Sequence, residues 1–460
     1  MLAVSWAVPS FSLRWKVFIL GASYFFYGYW DWRFVFLIIC STLVNWVLAR
    51  QVERTAGRRR TAIVVADVVF NLSVLGFFKY YGFFVTSLTN ALHPLGVSAS
   101  MPLLQVLLPV GISFFTFQGM SYVIDVHRGT VKPSRLLDFA VYLAFFPHVV
   151  AGPIVRASEF IPQMRRTSYQ RRIDSSRALF LIVNGLFKKM VIATFLATNI
   201  VDPVFEAPGT HSSLEILVAV YAYAVQIYAD FSGYTDIAIG CALLLGIRFP
   251  DNFNAPYTAT SLQDFWRRWH MTLSRWLRDY LYIPLGGSRG SRIFTSRNLM
   301  LTMLLGGLWH GAAWTFVIWG AIHGAGLCIE RLVRSWRGAA TAERRRVPRA
   351  ISAVLSRVVT FNVVCLAWLF FRSDSLATAW QLLTRMVTAR GPAPLVTNAV
   401  LAVIALAIAA QFVPSDALSR VQSAFSRLAP ALQGAGVAAS LVLIGALGPD
   451  GVAPFIYFRF

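Results

Sequence analysis

Charge is what this sequence has least of. Only 13% of its 460 residues are Asp, Glu, Lys or Arg, while 57% are hydrophobic. A soluble domain averages about 25% charged and about 45–50% apolar. A chain this long could not cover a water-facing surface with so few polar groups, so folding as a soluble globule is excluded. Cysteine is scarce too: Cys40, Cys241, Cys328 and Cys365 have no CxxC pair among them. That leaves no disulfide framework and no metal-ligand spacing, and the four read as small buried hydrophobes. No P-loop, no GxSxG elbow and no metal-spaced His/Cys cluster occurs. No internal repeat is visible, which argues against a transporter built from inverted halves. The N-terminus carries no A-x-A-like cleavage site after a short apolar core, so no removable signal peptide is expected.

Acidic residues are outnumbered, 20 against 42 Lys and Arg, for a formal net charge of +22. In a soluble chain this would suggest nucleic acid. Here the arginines gather in short loops between apolar stretches, as the positive-inside rule requires of cytoplasmic loops, and no nucleic-acid partner is expected. The 36 Phe, 14 Trp and 16 Tyr suit both a lipid-embedded core and interfacial belts. Apolar stretches run at 15–30, 31–49, 62–85, 103–124, 137–155, 178–200, 214–247, 298–327, 350–371, 397–413 and 435–448. A span needs roughly 20 apolar residues, so these predict about nine to twelve embedded elements, some broken or re-entrant.

Loop charge orients the chain. Arg50, Arg54, Arg58, Arg59 and Arg60 mark a cytoplasmic loop, whereas 86–102 has no charged residue and is expected outside. Arg128, Lys132 and Arg135 precede the 137–155 stretch, and Arg165, Arg166, Arg171, Arg172 and Arg177 follow it. With both flanks inside, that stretch must enter and return, which Pro147, Gly152 and Pro153 permit. The loop 201–213, with Asp202 and Glu206 and no Lys or Arg, reads as outside, while 248–297 and 331–349 read as inside. The stretch 298–327 is therefore also expected to turn back, around Gly306, Gly307, Gly311 and Gly320.

From Leu262 to Tyr282 the pattern is helical, predicting an amphipathic cytoplasmic helix over 262–283. Trp266, Trp269, His270, Leu273, Trp276, Leu277 and Tyr280 fall on one face. Arg267, Arg268, Thr272, Ser274, Arg275, Arg278 and Asp279 fall on the other. Ser261 and Asp264 suit a helix N-terminus. Such a helix serves as an interfacial anchor, and Arg267, Arg268, Arg275 and Arg278 can also meet a donor's phosphates.

Histidine at membrane depth is costly and is a site candidate by default. His310, in GGLWHGAAWTFVIWGAIHG (306–324), sits mid-stretch between glycines that allow close approach. Neutral imidazole there can act as a general base or simply as an interhelical hydrogen bond. His323 and His270 are candidates whose simpler reading is packing. In YADFSGYTDIAIG (228–240), Asp236 reads as part of a fold-fixing network. Asp230 is open to a proton path, a histidine orienter or that same network. Lys188 and Lys189 can snorkel, and His148 carries the weakest signal.

The runs DFWRRWHMTLSRWLRDYLYIPLGG and GGLWHGAAWTFVIWGAIHG together resemble the membrane-bound O-acyltransferase (MBOAT) family. Within it they match the bacterial branch typified by the alginate O-acetyltransferase membrane subunit. SYFFYGYWDWRF (23–34), PVGISFFTFQGMSYVIDVHRG (109–129), FPHVVAGPIVRASEF (146–160), YADFSGYTDIAIG and the terminal FIYFRF (455–460) extend the likeness over most of the chain. The resemblance implies an all-α polytopic membrane fold, one domain over 1–460, with tilted and re-entrant helices ringing a central tunnel. It implies that His310, of the WHG motif, is the essential catalytic histidine and His270, of the RWH motif, the second. Two departures stand out. The resemblance implies a further apolar helix before SYFFYG where this sequence opens at MLAVSWAVPSFSLRWK, so either that helix is expected to be missing or truncated or the start to be assigned too late. His148 stands where glutamine is expected.

The activity so implied is O-acetyl transfer in the cell inner membrane. Acetyl-CoA in the cytoplasm is the expected donor, with no bound cofactor or metal. His310 is expected to act as base on an acceptor hydroxyl, or else to carry the acyl group itself. The product is expected to pass outward to a partner acetyltransferase and a polysaccharide. Rival readings are a D-alanyl transferase fed by a carrier protein, a direct acyltransferase, and a non-enzymatic export channel.

Overall fold

The computed structural model describes residues 1–95, 107–165, 173–339 and 349–448. Arg166, Arg171 and Arg172, part of the uncharged outer loop (96–102), most of the second basic loop (340–348) and FIYFRF lie outside them. Among the described residues the regular structure is all helical. Seven helices are long and apolar enough to cross a membrane: Arg33–Arg54, Gly57–Leu95, Ser175–Glu206, Ser213–Leu244, Trp314–Trp336, Ala350–Arg372 and Pro430–Leu447. The protein is a multi-pass membrane protein.

The chain divides into two compact units. The first comprises Met1–Ala178 and Ala238–Pro250. Its hub is the helix Ile112–His127, buried on all sides except at Ile124 and His127, as an apolar helix inside other helices should be. Gly119 on this hub faces the Asn45 amide so closely that a Cβ would lie 2.7 Å from its oxygen. Asn45 in turn accepts a hydrogen bond from Asn71 at 3.1 Å. Asp67 is buried one helical turn before Asn71. The 137–155 stretch is broken, as expected. Leu136–Ala144 ends at Phe145, a four-residue helix Phe146–Val149 follows, and a buried irregular run carries the chain onward. Gly152 is required there, because a Cβ would meet His148 Cα at 2.5 Å. His148 is fully buried among the rings of Tyr142, Phe145, Phe160 and Phe249, the surroundings of a core residue.

The second unit comprises Leu179–Ile237 and Asp251–Phe460. Its 298–327 stretch is two helices, Arg292–His310 and Trp314–Ala339, joined by a three-residue turn. Glycine lets their backbones touch: a Cβ on Gly307 would meet Phe316 O at 2.2 Å, and one on Gly320 would meet Met303 O at 2.3 Å.

Two expectations need correction. Lys188 and Lys189 do not snorkel to water; they pair with Asp236 at 2.8 Å and Asp230 at 2.6 Å. A π-helical segment, Phe187–Ala193, carries both lysines where the Ser213–Leu244 helix crosses. Gly185 and Gly233 allow that crossing, since a Cβ on either would strike the other's carbonyl oxygen. The second correction concerns 262–283, which is not one helix. Leu262–Trp266 stops, His270 takes a left-handed conformation with φ 41°, and the chain resumes as Met271–Leu277 and a π turn Arg278–Tyr282. Side-chain periodicity could not reveal the cause, which is tertiary. The coil at Asn252–Asn254 accepts a hydrogen bond from Met271 N and donates one to Arg268 O, replacing bonds that a continuous helix would make.

Candidate active site

His310 is the last residue of the Arg292–His310 helix and is 3% exposed. Its ring lies 5.0 Å from Trp309, 5.0 Å from Trp319 and 5.3 Å from Phe371, all edge-on. Gly311 follows because any Cβ would run into the Phe316 ring, 2.0 Å away. The chain can therefore leave the helix directly beneath the histidine.

His270 is fully buried on the other side of Trp309, with ring centroids 6.2 Å apart, and packs edge-on to Phe231 at 4.7 Å. The coil at Asn252 fixes its protonation pattern. Asn252 Oδ1 accepts from the Thr272 backbone N–H at 3.1 Å and from the Thr272 hydroxyl at 2.8 Å. An atom accepting a backbone N–H is the amide oxygen, so the 3.1 Å contact from His270 Nδ1 must carry the proton on Nδ1. Nε2 is then a lone-pair acceptor, and among the described residues nothing donates to it. Burial pushes the imidazole down to about 3, so it stays neutral at cellular pH. The one sequence signal for Asn252 is a polar PDNFNAP run eighteen residues upstream, too weak to single it out.

His323 is fully buried between Phe265, stacked at 5.9 Å, and the edges of Trp266 and Trp319 at 5.2 and 4.8 Å. Trp319 thus touches both His310 and His323. The three histidines come together through two tryptophans. Asp230 and Asp236 go elsewhere, to the lysine pairs described above. Asp236 also accepts from Asn184 at 2.8 Å.

Beside this cluster lies a cavity of about 430 Å³. Leu299, Thr302 and Met303 of the His310 helix form one wall, and Trp266 another. Five arginines line it (Arg267, Arg275, Arg278, Arg331 and Arg334) with one carboxylate, Glu330. Glu330 accepts from the backbone N–H groups of Leu262 and Gln263, closing the start of the short Leu262–Trp266 helix. Ser261 caps the same helix through Asp264 N. Of the four arginines marked in the sequence, Arg268 does not reach the cavity. It pairs instead with Asp264 at 2.9 Å. Arg331 and Arg334 come from the Trp314–Ala339 helix, and no sequence pattern groups them with the arginines of 262–283.

Residues 127–371 match the family model described as MBOAT, membrane-bound O-acyltransferase family. The chain belongs to the membrane-bound O-acyltransferase family. It is a membrane O-acyltransferase, and all three clustered histidines and all five cavity arginines fall inside the matched residues. It is 42% identical over 375 residues to the probable alginate O-acetylase of Pseudomonas aeruginosa, covering 81% of this chain and 69% of that protein. It is 37% identical over 404 residues to the peptidoglycan O-acetyltransferase of Helicobacter pylori, covering 82% and 74%. Likeness to the teichoic acid D-alanyltransferase of Streptococcus thermophilus is lower, 28% over 289 residues, covering 59% and 69%.

Proposed function

We propose that residues 1–460 work as one inner-membrane O-acetyltransferase that takes acetyl from acetyl-CoA on the cytoplasmic side. In this reading the acetyl group goes, through a partner acetyltransferase, to a polysaccharide outside. The observation that carries it is the pairing of a buried histidine cluster with an arginine-lined cavity along one helix. Met303 in the cavity wall and His310 are seven residues apart, about 10 Å at the helical rise. Even with Arg278 paired to Asp279 at 2.6 Å, the arginines lining the cavity outnumber its carboxylates, and that excess favours a polyanionic donor such as coenzyme A, which carries a diphosphate and a further phosphate. The names of the more similar relatives favour acetyl over D-alanyl transfer.

His310 acts as the base in this scheme. Its nitrogen takes the proton of the acceptor hydroxyl as the oxygen attacks the thioester carbonyl carbon. The C–S bond then breaks, and the proton passes to the departing thiolate. His270, with Nε2 held as an acceptor, orients the hydroxyl-bearing group.

The test compares two substitutions. His310→Gln keeps a hydrogen-bonding amide but offers no base. It should lose about 10²–10⁴ in rate, as His310→Ala does, while the protein accumulates normally in the membrane. A His310→Gln protein that keeps a tenth or more of wild-type acetylation at equal level removes His310 from the role of base.

A further inference from the structure

Hydrogen-bond accounting around His323 leaves a surplus. Among the described residues, neither nitrogen of this fully buried ring has a partner, and neither do the buried indole nitrogens of Trp266 and Trp319. The three rings touch one another: His323–Trp319 at 4.8 Å, His323–Trp266 at 5.2 Å and Trp266–Trp319 at 5.7 Å. An indole is a donor only, and a neutral imidazole offers one donor and one acceptor. The cluster therefore presents three N–H donors against one acceptor. Unmet buried donors are costly, so a site that gathers them is matched to an oxygen that arrives with a ligand. Position narrows the choice. Trp266 lines the arginine cavity, and Trp319 lies 5.0 Å from His310. The donors thus stand between the place proposed for coenzyme A and the proposed base, where the thioester carbonyl must pass.

We propose that the indole N–H groups of Trp266 and Trp319, with the N–H of His323, bind the carbonyl oxygen of the acyl donor and hold the oxyanion formed on it. The proposal rests on His310 as base. As the acceptor oxygen bonds to the carbonyl carbon, the C=O π pair moves onto the carbonyl oxygen and the hydroxyl proton moves to His310. The oxyanion collapses, the C–S pair leaves on sulfur, and His310 returns its proton to the thiolate. Donors fixed in a dry site stabilise that charge without reorganising, which is why one such donor carries a large rate effect.

The test uses the full chain in lipid vesicles, with acetyl-CoA or its dithioacetyl analogue as donor and water as the probe acceptor, read by thiol release. Trp319→Phe should lower kcat by about 10²-fold, with KM for acetyl-CoA within about threefold. Because phenylalanine also removes bulk, a second variant places 3-benzothienylalanine at 319, keeping the ring shape and losing only the N–H. It should behave as Trp319→Phe does. The wild type should slow markedly when the carbonyl oxygen becomes sulfur, a poor acceptor, and the Trp266→Phe/Trp319→Phe protein should lose that preference. A benzothienyl protein with more than half the wild-type kcat overturns the proposal, as does an unchanged oxygen-over-sulfur preference in the double variant. His310→Gln separates the two readings. If it stays active while the tryptophan variants fail, the base assignment falls and the oxyanion site stands. If it fails while the tryptophan variants stay active, the oxyanion site falls and the base stands.

Discussion

Two parts of the second unit bury titratable side chains, and they handle them in opposite ways. Where Ser175–Glu206 crosses Ser213–Leu244, every principal charge meets its counterpart: Lys188 with Asp236 and Lys189 with Asp230. Around His310 the buried groups are rings, and Nε2 of His270, both nitrogens of His323 and the indole nitrogens of Trp266 and Trp319 have no partner among the described residues. Charges that satisfy one another hold two helices at a fixed crossing and have nothing left for a substrate. Rings with open nitrogens hold little together by themselves, and they are available to a substrate. The contrast separates side chains already engaged with one another from those still open to a ligand.

Breaking a pair on the first side should have the largest effect on the protein itself. Asp230→Ala strands Lys189, whose side chain is 14% exposed, and losing one partner of a buried pair costs about 3–5 kcal/mol. The expected result is a membrane level below about a tenth of wild type, measured by immunoblot. Lys189→Met with Asp230→Leu removes both charges and should restore at least about half of it, since apolar replacement of a buried pair is often neutral. If the double variant accumulates but has no activity, the pair belongs with the chemistry and the contrast fails.

On the histidine side, the same comparison predicts damage to activity with the fold intact. Asn252→Ala frees His270 to carry its proton on either nitrogen. We expect kcat to fall roughly 10–100-fold, well short of the about 10⁴-fold loss when a serine protease histidine is locked in the wrong tautomer. Asn252→Asp keeps an acceptor for both His270 and Thr272 and should recover much of the loss. Equal failure of Ala and Asp, with protein level down in both, would make Asn252 a packing residue.

Much of this arrangement was legible in the sequence, for reasons that differ by residue. His310 stands out because an imidazole in an apolar stretch has a price that composition alone reveals. The turn-back at 298–327 was readable because basic loops flank it on both sides and glycines lie within it. The continuous helix over 262–283 was the natural expectation from a 3.6-residue period, and it is wrong. Periodicity reports which side chains are apolar, whereas the break depends on backbone bonds to Asn252 and Asn254. The lysine pairs were missed for a similar reason. Two adjacent lysines diverge on an ideal helix, and only the π turn with the Gly185–Gly233 contact presents both to one neighbour. Asp67, buried in the first unit, is legible by the same argument as His310, being a carboxylate within the apolar stretch 62–85.

The cavity arginines give a smaller effect and a sharper comparison. Arg275→Ala with Arg331→Ala should raise KM for acetyl-CoA about tenfold, less than two charge-assisted bonds of about 1.5–3 kcal/mol each would give if fully buried, because solvent reaches both side chains.

Arg268 is the control with the smallest expected effect, because the sequence groups it with Arg267 and the structure separates it. Its guanidinium bonds to Asp264 one helical turn away, with both side chains about a third exposed, 31% and 29%. An exposed i,i+4 pair contributes about 0.3–0.5 kcal/mol, so Arg268→Ala should leave both protein level and KM for acetyl-CoA within about twofold of wild type. The measurement is the same thiol-release assay used for the cavity variants, run at low and at physiological salt. An arginine acting through general positive potential would make Arg268→Ala and Arg275→Ala weaken the donor alike, with both differences fading as salt rises. An arginine acting by contact leaves Arg268→Ala silent at either salt while Arg275→Ala keeps its defect. If Arg268→Ala raises KM as much as Arg275→Ala does, lining the cavity does not decide which guanidinium meets the donor, and this cavity is not its binding site.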